Sequence, residues 1–253
     1  MAGTSVTSKA LALLAAFSPD APELTLSELA RRAGLSLPTA HRRAAELVAW
    51  GALERTPAGR YHIGLRLWEV ASLAPRGLGL REASMPFLED LYEITRENVQ
   101  LAVREGVELV FVERIAGRAA VAVLTRVGGR FALHATGVGL VLLAHAPAEI
   151  QEQVLGGRLA RYTEKTITDP AVMRPLLANV RARGYAVSDG QVTLDALSVA
   201  APIVDRTGTV VAAVSLVVHA DRADPSALAP VVRAAARGIS RELSRTGPVR
   251  DGR

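Results

Sequence analysis

The sequence predicts an α+β protein in two parts, a helical N-terminal region and a larger mixed C-terminal one. Three observations lead there. Apolar residues recur at helical spacing through roughly the first 50 positions, with glycines at the helix ends. Strand-like runs then come in pairs around turn residues, with helical stretches before, between and after them. That order builds an antiparallel sheet covered by helices. Of the 253 residues 49% are apolar, enough for a sizeable core, but only 4% are aromatic, so Ala, Val and Leu must fill it.

The elements follow in order. Lys9, Ala10, Leu11, Leu13 and Leu14 predict a first helix ending near Phe17, and Ser18-Pro19-Asp20-Ala21-Pro22 a turn. Thr25-Leu26-Ser27-Glu28 is a capping box that opens a helix to about Ala33. Gly34 ends it, Ser36 caps the next with Pro38 in its first turn, and Gly51 stops that one. Leu53–Thr56 and Arg60–Ile63 form a hairpin around Pro57-Ala58-Gly59. Three helices and a hairpin make a winged helix-turn-helix, assigned to residues 1–64. A linker helix with Leu65, Leu67, Trp68, Val70 and Ala71 is broken by Pro75 and the Gly77–Gly79 stretch, so residues 65–79 form the connection and 80–253 the second domain.

That domain begins with a helix over Leu80–Asn98. Strands are expected at Val99–Arg104, Leu109–Ile115 and Ala120–Arg126, and helices at Val138–His145, Ala148–Val154 and Ala171–Arg183, the last capped by Asp169. Ser198–Asp205 and Val210–Val218 are strands around Arg206-Thr207-Gly208, and Asp224 or Ser226 opens a final helix.

Charge is concentrated. Residues 31–66 hold seven arginines against two glutamates, which matches the whole net charge of +5. Projecting residues 37–48 as a helix puts Leu37, Ala40, Ala44, Leu47 and Val48 on a core side. Arg42 points away from it, Pro38, Thr39 and Glu46 flank Arg42, and His41 and Arg43 sit on the margins. A short, polar, basic face at the start of the third helix suits entry into a DNA major groove, where Arg reads guanine and Ser or Thr bonds base edges or phosphate. Ser36, Pro38, Thr39, His41, Arg42 and Arg43 are the candidate contacts, with Arg55 and Arg60 on the wing. The arginines at 233, 237, 241 and 245 form one helical stripe, read as a solvated face.

These residues carry a resemblance to the isocitrate lyase regulator (IclR) family of bacterial transcriptional regulators. It runs through Val6-Thr7-Ser8-Lys9-Ala10-Leu11, LTLSELARRAGLSLPTAHRRAAELVAWGALE and Gly59-Arg60-Tyr61-His62-Ile63-Gly64. It continues in Leu133-His134-Ala135-Thr136, Gly139, Gly184-Tyr185-Ala186 and Ala200-Ala201-Pro202. The resemblance implies a GAF-like or profilin-like C-terminal sheet that binds a small-molecule effector, typically an organic or aromatic acid. It also implies double-stranded operator DNA as partner, and homodimers that often pair into tetramers. The chain departs from the family pattern at three places around the implied pocket. Val138-Gly139-Leu140 replaces Pro-Gly-Lys, Ser188-Asp189-Gly190-Gln191 replaces an acidic run, and Ser198 replaces a cysteine. The pocket is therefore expected to be rewired and less charged.

Candidate effector contacts are His134, Thr136, Gly137, Val138, Gly139, Ser188, Asp189, Ser198 and Ser215. Each has a plainer reading. His134 suits a core histidine, Thr136–Gly139 a helix cap, and Asp189 a solvated turn. Ser198 and Ser215, in apolar strands, need partners that either backbone or ligand could supply.

Other classes fit less well. Cysteine is absent, which removes disulfides, thiolate catalysis and Cys-based zinc sites. The histidines at 41, 62, 134, 145 and 219 lack metal-pair spacing, and there is no Gly-x-Ser-x-Gly elbow, so neither catalysis nor a metal is expected. Gly137-Val138-Gly139 lacks the third glycine and preceding strand of a dinucleotide loop, and no cofactor is expected. An architectural DNA protein without effector would not need so large a second domain. Ala10–Phe17 has only Lys9 before it, and Phe131–Ala148 is interrupted by polar residues. Neither suits a membrane segment, and a cytoplasmic protein is expected.

Overall fold

A computed structural model describes residues 5–74, 78–117 and 120–246. The chain divides into two compact units, Met1–Leu78 and Gly79–Arg253. Gly79 caps a helix of the second unit, while Pro75 and Gly77 of the expected break lie outside the described residues.

In the first unit, α1 (Val6–Leu14), α2 (Leu26–Arg32) and α3 (Leu37–Trp50) surround Leu13, Leu24, Leu29, Ala40, Ala44 and Leu53. The capping box at α2 is complete: the Thr25 amide donates to Glu28 Oε2 at 2.8 Å and the Glu28 amide to Thr25 Oγ1 at 3.3 Å. The amide bond from Thr25, more than any other contact, holds the Glu28 carboxyl below the usual carboxylate range. The wing pairs β1 (Leu53–Arg55) with β2 (Tyr61–Ile63), and Leu24 bridges to Tyr61 on the other side of β2. α3 ends at Gly51, whose φ of +88° is left-handed. There the chain returns so closely that a Cβ on Gly64 would lie 2.2 Å from the Gly51 carbonyl oxygen. Only glycine fits at Gly64, and α4 (Leu65–Ala71) starts from it.

In the second unit, six strands form one antiparallel sheet in the order β5-β4-β3-β8-β7-β6. They are β3 (Asn98–Glu105), β4 (Glu108–Ile115), β5 (Arg130–Ala132), β6 (Ala186–Asp189), β7 (Ala196–Val204) and β8 (Val210–His219). Alternation sorts their side chains onto two faces. Val99, Leu101, Val199, Ala201, Val214 and Leu216 pack under α5 (Leu80–Thr95) and α9 (Pro225–Thr246). Ala102, Ala200 and Ala213 pack under α6 (Gly137–Ala144) and α8 (Pro170–Arg183), with α7 (Ala148–Leu155) beside them. α6 is buried along its whole length, which explains its unbroken apolar run and its alanine floor. Asp224 caps α9, accepting from the Ser226 amide at 2.9 Å. Arg233, Arg237 and Arg241 are exposed on α9, above a groove at Ala201, Pro202 and Gly184.

Three expectations need correction. No strand forms at Ala120–Arg126; the segment from 121 to 125 crosses the sheet face irregularly, and β5 lies after it. Its hydrogen bonds go to side chains instead of a ladder: Asn98 Nδ2 donates to the Val121 carbonyl at 2.8 Å. β6 was not expected, because four residues straight after a helix end give too short a period to recognise. Leu37 belongs to no core and is 49% exposed, since the buried stripe of α3 runs through Ala40, Arg43 and Ala44.

Candidate functional site

The exposed side of α3 carries Pro38, His41, Arg42 and Glu46, at the i, i+3, i+4 and i+8 positions of one helical face. The Arg42 guanidinium has no hydrogen bond or ion pair among the described residues. Ser36 occupies the N-cap position but makes no side-chain cap; its hydroxyl donates to Thr39 Oγ1 at 2.9 Å. The first amides of α3 therefore keep their own cap position free, and with the helix dipole they favour an anion.

Arg43 departs from its expected place on the margin. It is buried and paired with Glu46, so it faces its own unit. On the wing, Arg55 is exposed and lies over the Tyr61 ring, 5.7 Å from the centroid. Arg60 is half-buried and turned inward: Nη2 donates to the Glu23 carbonyl at 2.9 Å and lies 3.7 Å from a Glu28 carboxylate oxygen.

In the second unit a cavity of about 40 Å³ lies on the α6 side of the sheet. Its floor is Gln100 of β3, Val217 of β8, and Ala196 and Ser198 of β7. The start of α6 forms one wall with Ala135, Thr136 and Gly137. The irregular segment Val123–Thr125 forms another, and Ser188, Gln191, Val192 and Thr193 close it. No charged side chain is among these residues. Thr136 caps α6, its Oγ1 accepting from the Gly139 amide at 3.0 Å. Ser188 Oγ donates to the Ala135 carbonyl at 2.9 Å, which ties β6 to the α6 entry. A Cβ on Gly137 would lie 2.5 Å from Ser198 Oγ, so glycine here lets the serine hydroxyl reach the helix start.

Of the residues singled out from sequence, Thr136, Gly137, Ser188 and Ser198 come together at the cavity. Val138 is in the core. Asp189 points out to Lys165 Nζ at 3.1 Å. Ser215 sits on the same sheet face beside Gln100, fully buried, with no partner for its hydroxyl. His134 is elsewhere: Nε2 is 2.9 Å from the Ala160 carbonyl oxygen, the ring stacks on Tyr162, and burial lowers its pKa below the usual 6.5. Gln100, Thr125 and Gln191 were missed. A buried glutamine in the apolar run of β3 was the available signal for the first.

Residues 6–57 match the IclR helix-turn-helix domain, and residues 74–241 match the C-terminal domain of the IclR bacterial transcriptional regulators. The chain belongs to the IclR family. It is 34% identical over 222 residues to the HTH-type transcriptional regulator BhcR of Paracoccus denitrificans, covering 86% of this chain and 80% of that protein. It is 30% identical over 241 residues to the glycerol operon regulatory protein of Streptomyces griseus, covering 93% and 94%. Among solved structures, an IclR homologue from Microbacterium hydrocarbonoxydans complexed with 4-hydroxybenzoate superposes with a TM-score of 0.92 at 39% identity, covering 96% of this chain and 100% of that one. The Thermotoga maritima IclR superposes with a TM-score of 0.76 at 28% identity, covering 94% and 98%. As an IclR-family member the chain is a transcriptional regulator with a DNA-binding helix-turn-helix and an effector-binding C-terminal domain. No helix among the described residues is long and apolar enough to cross a membrane.

Proposed function

We propose that this regulator senses a small single-ring aromatic acid, or an amide derived from one, in the cavity at the start of α6. The observation that carries the reading is the lining itself. Neutral hydroxyls and two carboxamides stand with apolar side chains around a helix N-terminus, with no charged side chain. Such a site solvates a carboxylate or amide oxygen by helix amides and hydroxyls, and takes a ring on its apolar side. The 4-hydroxybenzoate in the Microbacterium homologue supports the same chemical class.

Operator contact falls to α3, with Arg42 as the base reader, His41, Thr39 and Ser36 beside it, and Arg55 at the wing. Arg60 reaches phosphate only by leaving Glu23 and Glu28, so Arg55 carries more of the wing's salt dependence. We place homodimerisation at α4, where no residue is buried and Leu65, Trp68 and Val70 are exposed. An apolar helix left open in this way matches a subunit contact better than a solvated linker.

Calorimetric titration of 4-hydroxybenzoate and benzoate tests the effector reading. Saturable binding that Ser198→Val weakens by about tenfold or more is expected, from one charge-assisted hydrogen bond lost. Binding unaffected by Ser198→Val would move the site elsewhere, and no binding of either acid would refute the class.

A further inference from the structure

We infer that Gln100 is the residue by which this cavity discriminates among aromatic acids, and that Thr125 holds its carboxamide until a ligand takes it over. The inference rests on the aromatic-acid reading and adds the side chain that reads the ring's far substituent.

The cavity has two polar ends. One is the α6 start with Ser198 of β7. The other is Gln100 of β3. The strand β8 runs between them, so their backbones are two strand spacings across and two residues along, roughly 12 Å apart. Val217 lies on the floor between them. A ring that carries its acid at one end and a hydroxyl or similar group opposite has this layout. An unsubstituted ring presents no polar group to the Gln100 end.

Gln100 is 3% exposed, and its Nε2 donates to Thr125 Oγ1 at 2.6 Å. A buried carboxamide needs such a partner. Thr125 ends the irregular strap from 121 to 125, and this strap is fastened to the sheet by side chains. Asn98 holds the Val121 carbonyl at 2.8 Å, and Arg114 reaches the Thr125 carbonyl at 3.4 Å and Asn98 Oδ1 at 2.9 Å. Of these bonds, the one between Gln100 and Thr125 joins two residues that both line the cavity.

The cavity holds about 40 Å³. A cavity that admits benzene measures about 150 Å³. A ring therefore enters only when the lining gives way, and the Gln100–Thr125 bond closes the strap at that point. Its rupture frees the Gln100 amide at the end of the cavity where the far substituent arrives. Ser215 adds an unsatisfied hydroxyl next to Gln100, although it does not itself line the cavity. It stands opposite Gln100 in the β3–β8 ladder, fully buried, with a hydroxyl that has no partner. Buried polar atoms are rarely left in that state unless something completes them.

The test uses the full chain and three proteins: wild type, Gln100→Met and Thr125→Val. Calorimetry reads the affinities for benzoate and 4-hydroxybenzoate, and hydrogen exchange reads the 121–125 amides without ligand. Wild type is expected to prefer 4-hydroxybenzoate by about tenfold, the worth of one hydrogen bond. Gln100→Met should bring the two acids to near parity. Thr125→Val should tighten 4-hydroxybenzoate several-fold, because no protein partner has to be displaced. Both variants should speed exchange in the strap. The two partners of one hydrogen bond thus shift ligand affinity in opposite directions, which a purely structural bond would not do. Full preference retained in Gln100→Met, or weaker 4-hydroxybenzoate binding in Thr125→Val, would overturn the proposal. Should Gln100→Met fail to fold, the nearly isosteric Thr125→Val decides alone. Wild type that binds neither acid would overturn the aromatic-acid reading together with the role given to Gln100. The exchange measurement would still separate the strap: unchanged rates in both variants would show that the bond does not close it.

Discussion

The basic face of α3 and the cavity under α6 are built from different amounts of chain. On α3, Pro38, His41 and Arg42 come from one helix within five residues, and the helical period alone turns them outward. The cavity draws on four strands, one helix start, an irregular strap and the loop after β6, spread from Gln100 to Val217. The first surface tolerates substitution in its neighbours, because each side chain stands in solvent. The second depends on sheet register: moving β7 by one residue would turn Ser198 to the α9 face. A surface that reads a long, uniform polymer can be local. A pocket that encloses a small molecule has to be assembled.

The contrast gives ordered expectations. The largest concerns assembly. Trp68→Glu on the open face of α4 should yield monomers by light scattering and weaken operator binding by about 10²–10⁴, the avidity of two linked half-sites. A dimer that persists in this variant would move the subunit contact off α4. Next comes Arg42→Ala, expected to cost about 1–3 kcal/mol of operator binding at fixed salt with an unchanged melting temperature. An unaltered affinity would mean that the exposed face of α3 does not read bases. The neighbouring arginine should behave in the reverse way. Arg43→Ala should lower the stability of the first unit by about 1 kcal/mol, through lost packing and its pair with Glu46. Its effect on the salt dependence of binding should be small; loss of one phosphate contact, read as a drop of about one in the slope, would contradict its buried position.

How much of this was legible follows from the same distinction. The capping box at Thr25 and the glycine stops at Gly34 and Gly51 are local signals, and α2 and α3 formed where they predicted. The outward direction of Arg42 followed from periodicity. Arg43 and Leu37 did not, because which flank of a helix is buried depends on what it packs against. The same holds in the second unit. α6 was visible as an apolar run, and Ser198 as a hydroxyl among apolar neighbours. The strap from 121 to 125 has strand composition but is fastened by Asn98 and Arg114 instead of a ladder, so its β-propensity misled. Gln100 and Thr125 are 25 residues apart, and only sheet registry brings them together.

The smallest expected effect concerns His134, which sequence placed among the effector contacts and which lies in a packed site against Ala160 and Tyr162. Burial holds its folded pKa below 6.5. The unfolded chain therefore takes up more protons in that range, and stability should be lost as pH falls below about 6.5. In His134→Gln that part of the pH dependence should disappear from denaturant melts between about pH 5 and 7, with aromatic-acid affinity at neutral pH unchanged. Loss of ligand binding at neutral pH, with the fold intact, would return His134 to the pocket.

Control of operator binding by a ligand requires linkage between the cavity and α3. Operator affinity measured with and without saturating 4-hydroxybenzoate, in wild type and Ser198→Val, tests it most directly. The expected coupling is about 1–3 kcal/mol, a shift of roughly 5–150-fold in operator affinity. Operator DNA should change the acid's affinity by the same factor, and Ser198→Val should require correspondingly more ligand to produce the shift. An acid that binds tightly yet leaves operator affinity the same in both proteins would contradict the account, because a ligand with equal affinity for both states moves neither.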